Sequence, residues 1–114
     1  MSDNKINAER IEEVLTEKKI DFNTKKMFGG HCFLVDDKML MGTFRGGIMA
    51  RVNPDEVEEL LKKDGTEPMM QKGRVMKGYI LLGDDAHDMQ SDLEFWIDKC
   101  MEWNPFAKSS KKKK

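Results

Sequence analysis

Residues 30 to 52, GHCFLVDDKMLMGTFRGGIMARV, hold three apolar runs of strand length separated by tight turns at Asp36-Asp37-Lys38 and Arg45-Gly46-Gly47. Short runs of β-branched, aromatic and aliphatic residues joined by turns of this composition read as antiparallel strands. Connections this short leave each strand beside the one before it, so the segment is expected to be a meander, with MFGG (27 to 30) leading into it.

On either side the period becomes helical. In AERIEEVLTEKK (8 to 19), Ile11, Val14 and Leu15 share one face, with Asn7 available as a cap. Asn53, with Pro54 at the first helical position and Glu56 placed to complete a capping box, predicts a second helix that ends at Gly65. EPMM, a QKGR turn around Gly73, and VMKGYILL predict a hairpin with a well buried second strand. Ser91 with Glu94 predicts another capping box. Leu93, Trp96, Ile97, Cys100 and Met101 then fall on one face of a last helix stopped near Asn104-Pro105.

The expected fold class is therefore α+β, two-layered, in the order α-βββ-α-ββ-α. An antiparallel sheet of about five strands carries its helices on one face and leaves the other open. A 114-residue chain with 39% hydrophobic and 36% charged residues is globular in composition and long enough for one core. One domain is expected over residues 1–107. The polar run KSSKKKK, residues 108–114, has nothing to bury and is expected to be a disordered tail.

The polar N-terminus, MSDNKINAER, lacks the apolar centre of a signal peptide, and no apolar run is long enough to cross a bilayer. A cytoplasmic protein is expected, with Cys32 and Cys100 reduced and mostly buried.

A catalytic or metal site is not legible. Gly29-Gly30 precedes a strand, whereas a phosphate loop opens a helix, so the pair reads as a turn or bulge. His31, Cys32, His87 and Cys100 lack the paired spacings of zinc ligands. His31 reads as a strand residue and His87 as a loop residue, and neighbours on a strand such as His31 and Cys32 point to opposite faces. Glu12, Glu13, Glu56, Glu58, Glu59, Asp92 and Glu94 sit where solvated helix faces and caps want them. Asp84, Asp85 and Asp88 lack the spacing and closing glutamate of a calcium loop and read as the lead into the last helix. No catalytic residue, metal or cofactor is expected. Met39, Met41, Met49, Met69, Met70 and Met76 cluster on the strands, where thioethers fill cores and can also form adaptable binding surfaces.

The net charge of −1 hides two regional excesses. The strand regions, residues 22–52 and 66–83, carry eight basic residues against three acidic ones. Lys108, Lys111, Lys112, Lys113 and Lys114 add five positive charges in the tail, which leaves the remainder at −11. A basic sheet layer and an acidic helical layer can orient a domain on a partner. Lys25, Lys26, Arg45, Arg51, Arg74 and Lys77 are the candidate partner-binding residues. The alternative is a nucleic-acid-associated protein that uses the basic strands and the five tail lysines, although no ribonucleoprotein-type motif appears among the aromatic residues Phe28, Phe33, Phe44 and Tyr79. An open sheet face also makes a homodimer plausible.

With KKMFGG, a strand meander, ARVNP entering a helix and GRVMKG leading into the late strand, residues 5 to 104 resemble the N-terminal domain of TfoX (Sxy) proteins. The resemblance implies a two-layer fold like that of secretion chaperones and offers no catalytic residues. Family members that also carry a helical C-terminal domain regulate natural competence alongside a cyclic-AMP-responsive transcription activator. Only lysines and serines follow residue 107 here, so the expectation is a stand-alone regulatory or adaptor domain that binds a protein partner.

Overall fold

A computed structural model describes residues 4–27, 30–44, 47–71 and 73–107. Six strands form one antiparallel sheet in the order β1-β2-β3-β4-β6-β5. The meander comprises β1 (Asn23–Met27), β2 (Gly30–Val35), β3 (Lys38–Phe44) and β4 (Gly47–Arg51). It has one strand more than its apolar pattern predicts. β1 reads NTKKM, and its residues 23 to 26 are exposed at the sheet edge, so no alternation marks it. Its backbone still pairs with β2 from Asn23↔Leu34 to Met27↔Gly30. The β2–β3 turn consists of Asp36 and Asp37 alone, at φ 56° and 64°, with Lys38 already on the strand. Two successive left-handed residues match the twist of a hairpin, and Asp tolerates that region better than most residues.

After β4 the chain crosses to the far edge as β5 (Thr66–Gln71), then returns as β6 (Arg74–Leu82) between β5 and β4. The crossing is made by a 3₁₀ turn (Pro54–Glu56) and one turn of helix, α2 (Val57–Leu60), shorter than its sequence signals suggest. Asn53 does cap, its Oδ1 accepting from the Asp55 N–H at 2.9 Å. The capping box does not form, because Glu56 instead meets Lys99 of the last helix at 3.2 Å.

The long helices are α1 (Asn4–Glu17) and α4 (Gln90–Trp103), with a single turn, α3 (Asp84–His87), ahead of α4. α1 begins before Asn7, which is therefore a buried helical residue and not a cap. α4 begins at Gln90, with Met89 as its cap residue and no side-chain cap. Ser91 consequently lies inside the helix, and the expected box with Glu94 is absent. The helix stops where Asn104-Pro105 predicts, and a 3₁₀ turn follows over Asn104–Phe106.

Both long helices lie on one sheet face. Ile11, Val14 and Leu15 of α1 and Leu93, Trp96, Ile97 and Cys100 of α4 pack with Phe33, Met41, Ile48, Ala50, Ile80 and Leu82. Fully burying an aliphatic or aromatic side chain contributes roughly 1.5–3 kcal/mol, so this core dominates stability. Trp96 also donates its indole N–H to the Ala86 carbonyl at 3.1 Å, which ties α3 to α4. A bulge in β3 enlarges the core: Phe33 pairs with Met41 and Leu34 with Met39, which makes Leu40 an extra residue. Leu40 and Met41 both face the helices as a result.

The other face holds a second cluster, Cys32, Leu34, Met39, Met49 and Met69, flanked by Met76, Tyr79 and Leu81. No described helix packs on it, yet Cys32 is 0% and Met49 1% exposed. These strand residues cover one another. Contrary to the expectation of a well buried strand, the first half of β6 is open: Arg74, Val75 and Lys77 are exposed, and regular burial begins only at Gly78.

Gly30 marks the tightest approach within the sheet. A Cβ there would collide with the Thr43 carbonyl oxygen and lie 2.6 Å from Thr43 Oγ1, the atom that accepts the His31 N–H. Because a backbone atom cannot step aside, Gly30→Ala should lower the unfolding free energy by about 2 kcal/mol, within the range for overpacking. Urea denaturation of the variant measures it, and an unchanged midpoint would refute the close packing of β2 on β3.

Candidate interaction surface

The groups able to do chemistry are dispersed. Among the described residues no three His, Cys, Asp or Glu side chains are grouped to hold a metal ion. Cys32 and Cys100 are free thiols on opposite sides of the sheet. Burial pushes both up, Cys100 to about 12, so neither supplies a thiolate nucleophile near neutral pH. Cys32 belongs to the open-face cluster, and His31, one residue earlier, points the other way. Asp21, Asp36 and Asp37 rim a hollow of about 440 Å³ beside Phe22, Asn23 and Leu34.

His87, expected in a loop, is buried in α3. Arg10 of α1 reaches it across 77 positions. One guanidinium nitrogen donates to His87 Nδ1 at 3.0 Å, and the other donates to the His87 carbonyl at 2.6 Å and the Asp88 carbonyl at 3.4 Å. With Nδ1 accepting, a neutral ring carries its proton on Nε2, which has no hydrogen-bond partner and lies 3.9 Å from Asp84 Oδ1. Burial first, and the Arg10 charge second, lower the pKa of His87 against the opposing pull of Asp84 and Asp88.

The basic residues singled out from the sequence do not share one surface. Lys25 pairs with Cys32 and so lies on the open face, whereas Lys26 pairs with His31 and points to the helix side. Arg51 and Tyr79 pair across β4 and β6 on the open face, with the guanidinium carbon 5.6 Å from the ring centroid. Arg74, two residues before Met76, lies on the open face, and Lys77 lies on the helix side. Gly78, at φ 83°, breaks the alternation and brings Tyr79 back beside Met76 on the open face. Lys25 is on β1, four strands from β6, or roughly 19 Å at about 4.8 Å per step. Arg45 and the lysines at 108 and 111 to 114 lie outside the described residues.

What the structure brings together is a strip along β4 and β6. Arg51 over Tyr79 stands at one end and Arg74 at the other, with half-buried Met76 and Leu81 on the same face. Tyr79 stands five positions after Arg74 on β6, at most roughly 17 Å at about 3.3 Å per residue, since the irregularity at Gly78 shortens the span. The sequence matches the TfoX N-terminal domain over residues 16–103, most of its length. The chain belongs to the TfoX N-terminal domain family. No curated protein and no solved structure gives a significant match to this TfoX N-terminal domain. No described helix is long and apolar enough to cross a membrane.

The environment of His87 sets a pH dependence. A histidine in the unfolded chain titrates near 6.5, and His87 in the fold titrates below that. Between those two values the unfolded state holds more protons, so stability rises with pH. Stability should therefore fall as pH drops below 6.5, until the folded ring is protonated too. Urea midpoints measured on either side of pH 6.5 should reveal this slope, and His87→Gln should flatten it. An equal slope in the variant would assign the effect to other groups.

Proposed function

We propose that this TfoX N-terminal domain is a non-enzymatic regulatory or adaptor module, linked to transcription or competence control, that binds a protein partner through the open face of its sheet. The reading has the domain act in the cytoplasm. The observation that carries it is the β4–β6 strip, where Arg74 and the Arg51–Tyr79 pair stand on either side of Met76, with Leu81 beyond the pair, on a face that no described helix covers. Membership in the TfoX N-terminal domain family, which is not a family of known enzymes, supports it. Partial exposure of large side chains beside arginines is the composition of protein-binding surfaces, where Arg and aromatic residues are enriched.

Lys25 sits too far along the sheet to join a compact patch with Arg74, and Lys26 faces away, so the patch contracts to Arg51, Tyr79, Arg74 and Met76. The nucleic-acid reading has one observation in its favour: Lys25, Lys26, Arg74 and Lys77 make no ion pair among the described residues.

Replacing Arg51 and Arg74 together by Ala should leave the thermal transition within about 2 °C of the parent, since surface changes are usually within ±0.5 kcal/mol. It should also reduce recovery of a nuclease-resistant protein partner in affinity capture by about tenfold, corresponding to about 1.4 kcal/mol. Undiminished recovery would discard the strip. Loss of every co-purifying species on nuclease treatment would favour nucleic acid.

A further inference from the structure

We propose that two copies of this chain form a two-fold dimer, each seating the helix-side face of its β5–β6 hairpin in a cleft of the other lined by Asn53, Glu56, Lys99, Glu102, Trp103 and Phe106. Met70 and Val75 are opposite each other in the hairpin register and are 50% and 55% exposed. Paired strand residues share a face, so these two side chains form one apolar contact surface beyond the helical layer. Lys77 lies on that face two residues from Val75 and makes no ion pair or hydrogen bond among the described residues. No acidic residue occurs from Met70 to Lys77.

The cleft offers the complement. It encloses about 370 Å³, and its apolar walls are the rings of Trp103 and Phe106, with centroids 5.7 Å apart. Phe106 is 73% exposed, the highest value among the exposed large hydrophobic residues described. Lys99 meets both Glu56 at 3.2 Å and Glu102 at 3.6 Å, so two carboxylates face one ammonium and one negative charge is left over. An apolar pair beside an unpaired ammonium thus matches aromatic walls beside a surplus carboxylate.

The hairpin cannot enter the cleft of its own chain, because β5 and β6 are held in the sheet ladder. The two features are nonetheless neighbours: the Val52 N–H donates to the Gly78 carbonyl at 2.7 Å, one residue from Lys77 on one side and from Asn53 on the other. A two-fold axis between them lets both copies insert at once, which closes the assembly as a dimer and not an open chain. Arg74 and Met76 remain on the opposite face, so this association does not rest on the partner-binding strip.

Sedimentation velocity of the full chain over a range of concentrations tests the dimer. The expected result is a monomer–dimer equilibrium that weakens as salt is raised. Val75→Asp and Phe106→Ala should each abolish the dimer at concentrations where the parent is dimeric, while unfolding at the same temperature as the parent does when diluted to monomer. Mixing Val75→Cys protein with Phe106→Cys protein under oxidising conditions should give the mixed disulfide, because the two native cysteines are buried. A monomer at every concentration, a dimer that survives both substitutions, or cross-linking of Val75→Cys only to itself would overturn the proposal.

Discussion

One sheet has two apolar faces to close, and the described helices cover only one of them. The rest of the structure follows from that imbalance. On the helix side, the extra residue in β3 turns both Leu40 and Met41 toward α1 and α4, which gives the helices a broader floor around Trp96. On the other side, Cys32, Leu34, Met39, Met49 and Met69 close against one another. Methionine suits this arrangement, since an unbranched thioether can bend over a neighbour where no described helix presses on it. A face sealed in this way is a second, thinner core under the same sheet.

Sequence periodicity revealed what packing repeats. β2, β3 and β4 are near-continuous apolar runs because both of their faces are buried, α4 carries its apolar residues on one buried face, and the existence of all four was legible. β1 was not, since an edge strand with polar, exposed side chains is specified by backbone pairing to β2, and backbone pairing leaves no mark on residue type. Capping boxes failed for a different reason. Glu56 and Ser91 stand at the right local spacing, but Lys99 offers Glu56 a tertiary partner, and α4 begins ahead of Ser91. A local hydrogen bond worth about 1 kcal/mol yields readily to such competition.

The candidate surface was legible as a charge excess and illegible as a place. Counting along the chain put eight cations in the strand regions, but it could not tell that Lys25 and Lys26 face opposite sides, nor that Gly78 shifts the parity of β6. His87 was hidden for a related reason: the side chain that hydrogen-bonds its buried ring, Arg10, is 77 residues away. The Trp103–Phe106 cleft draws residues from the turn after β4 and from the C-terminal end of α4, and no motif joins Asn53 to Phe106 in sequence.

The sealed face also constrains how any partner could bind there. Cys32 and Met49 are already withdrawn from water, so covering them contributes almost no further hydrophobic free energy. Only the half-buried Met76, Tyr79 and Leu81 have area left to bury. A partner on the open face must therefore draw much of its affinity and orientation from Arg51 and Arg74 at the ends of the strip, and charge contacts at an exposed rim act mainly on encounter and register. Under the proposed function, association on this face would be salt-sensitive and readily reversible, with the methionines beneath adjusting to the shape laid on them.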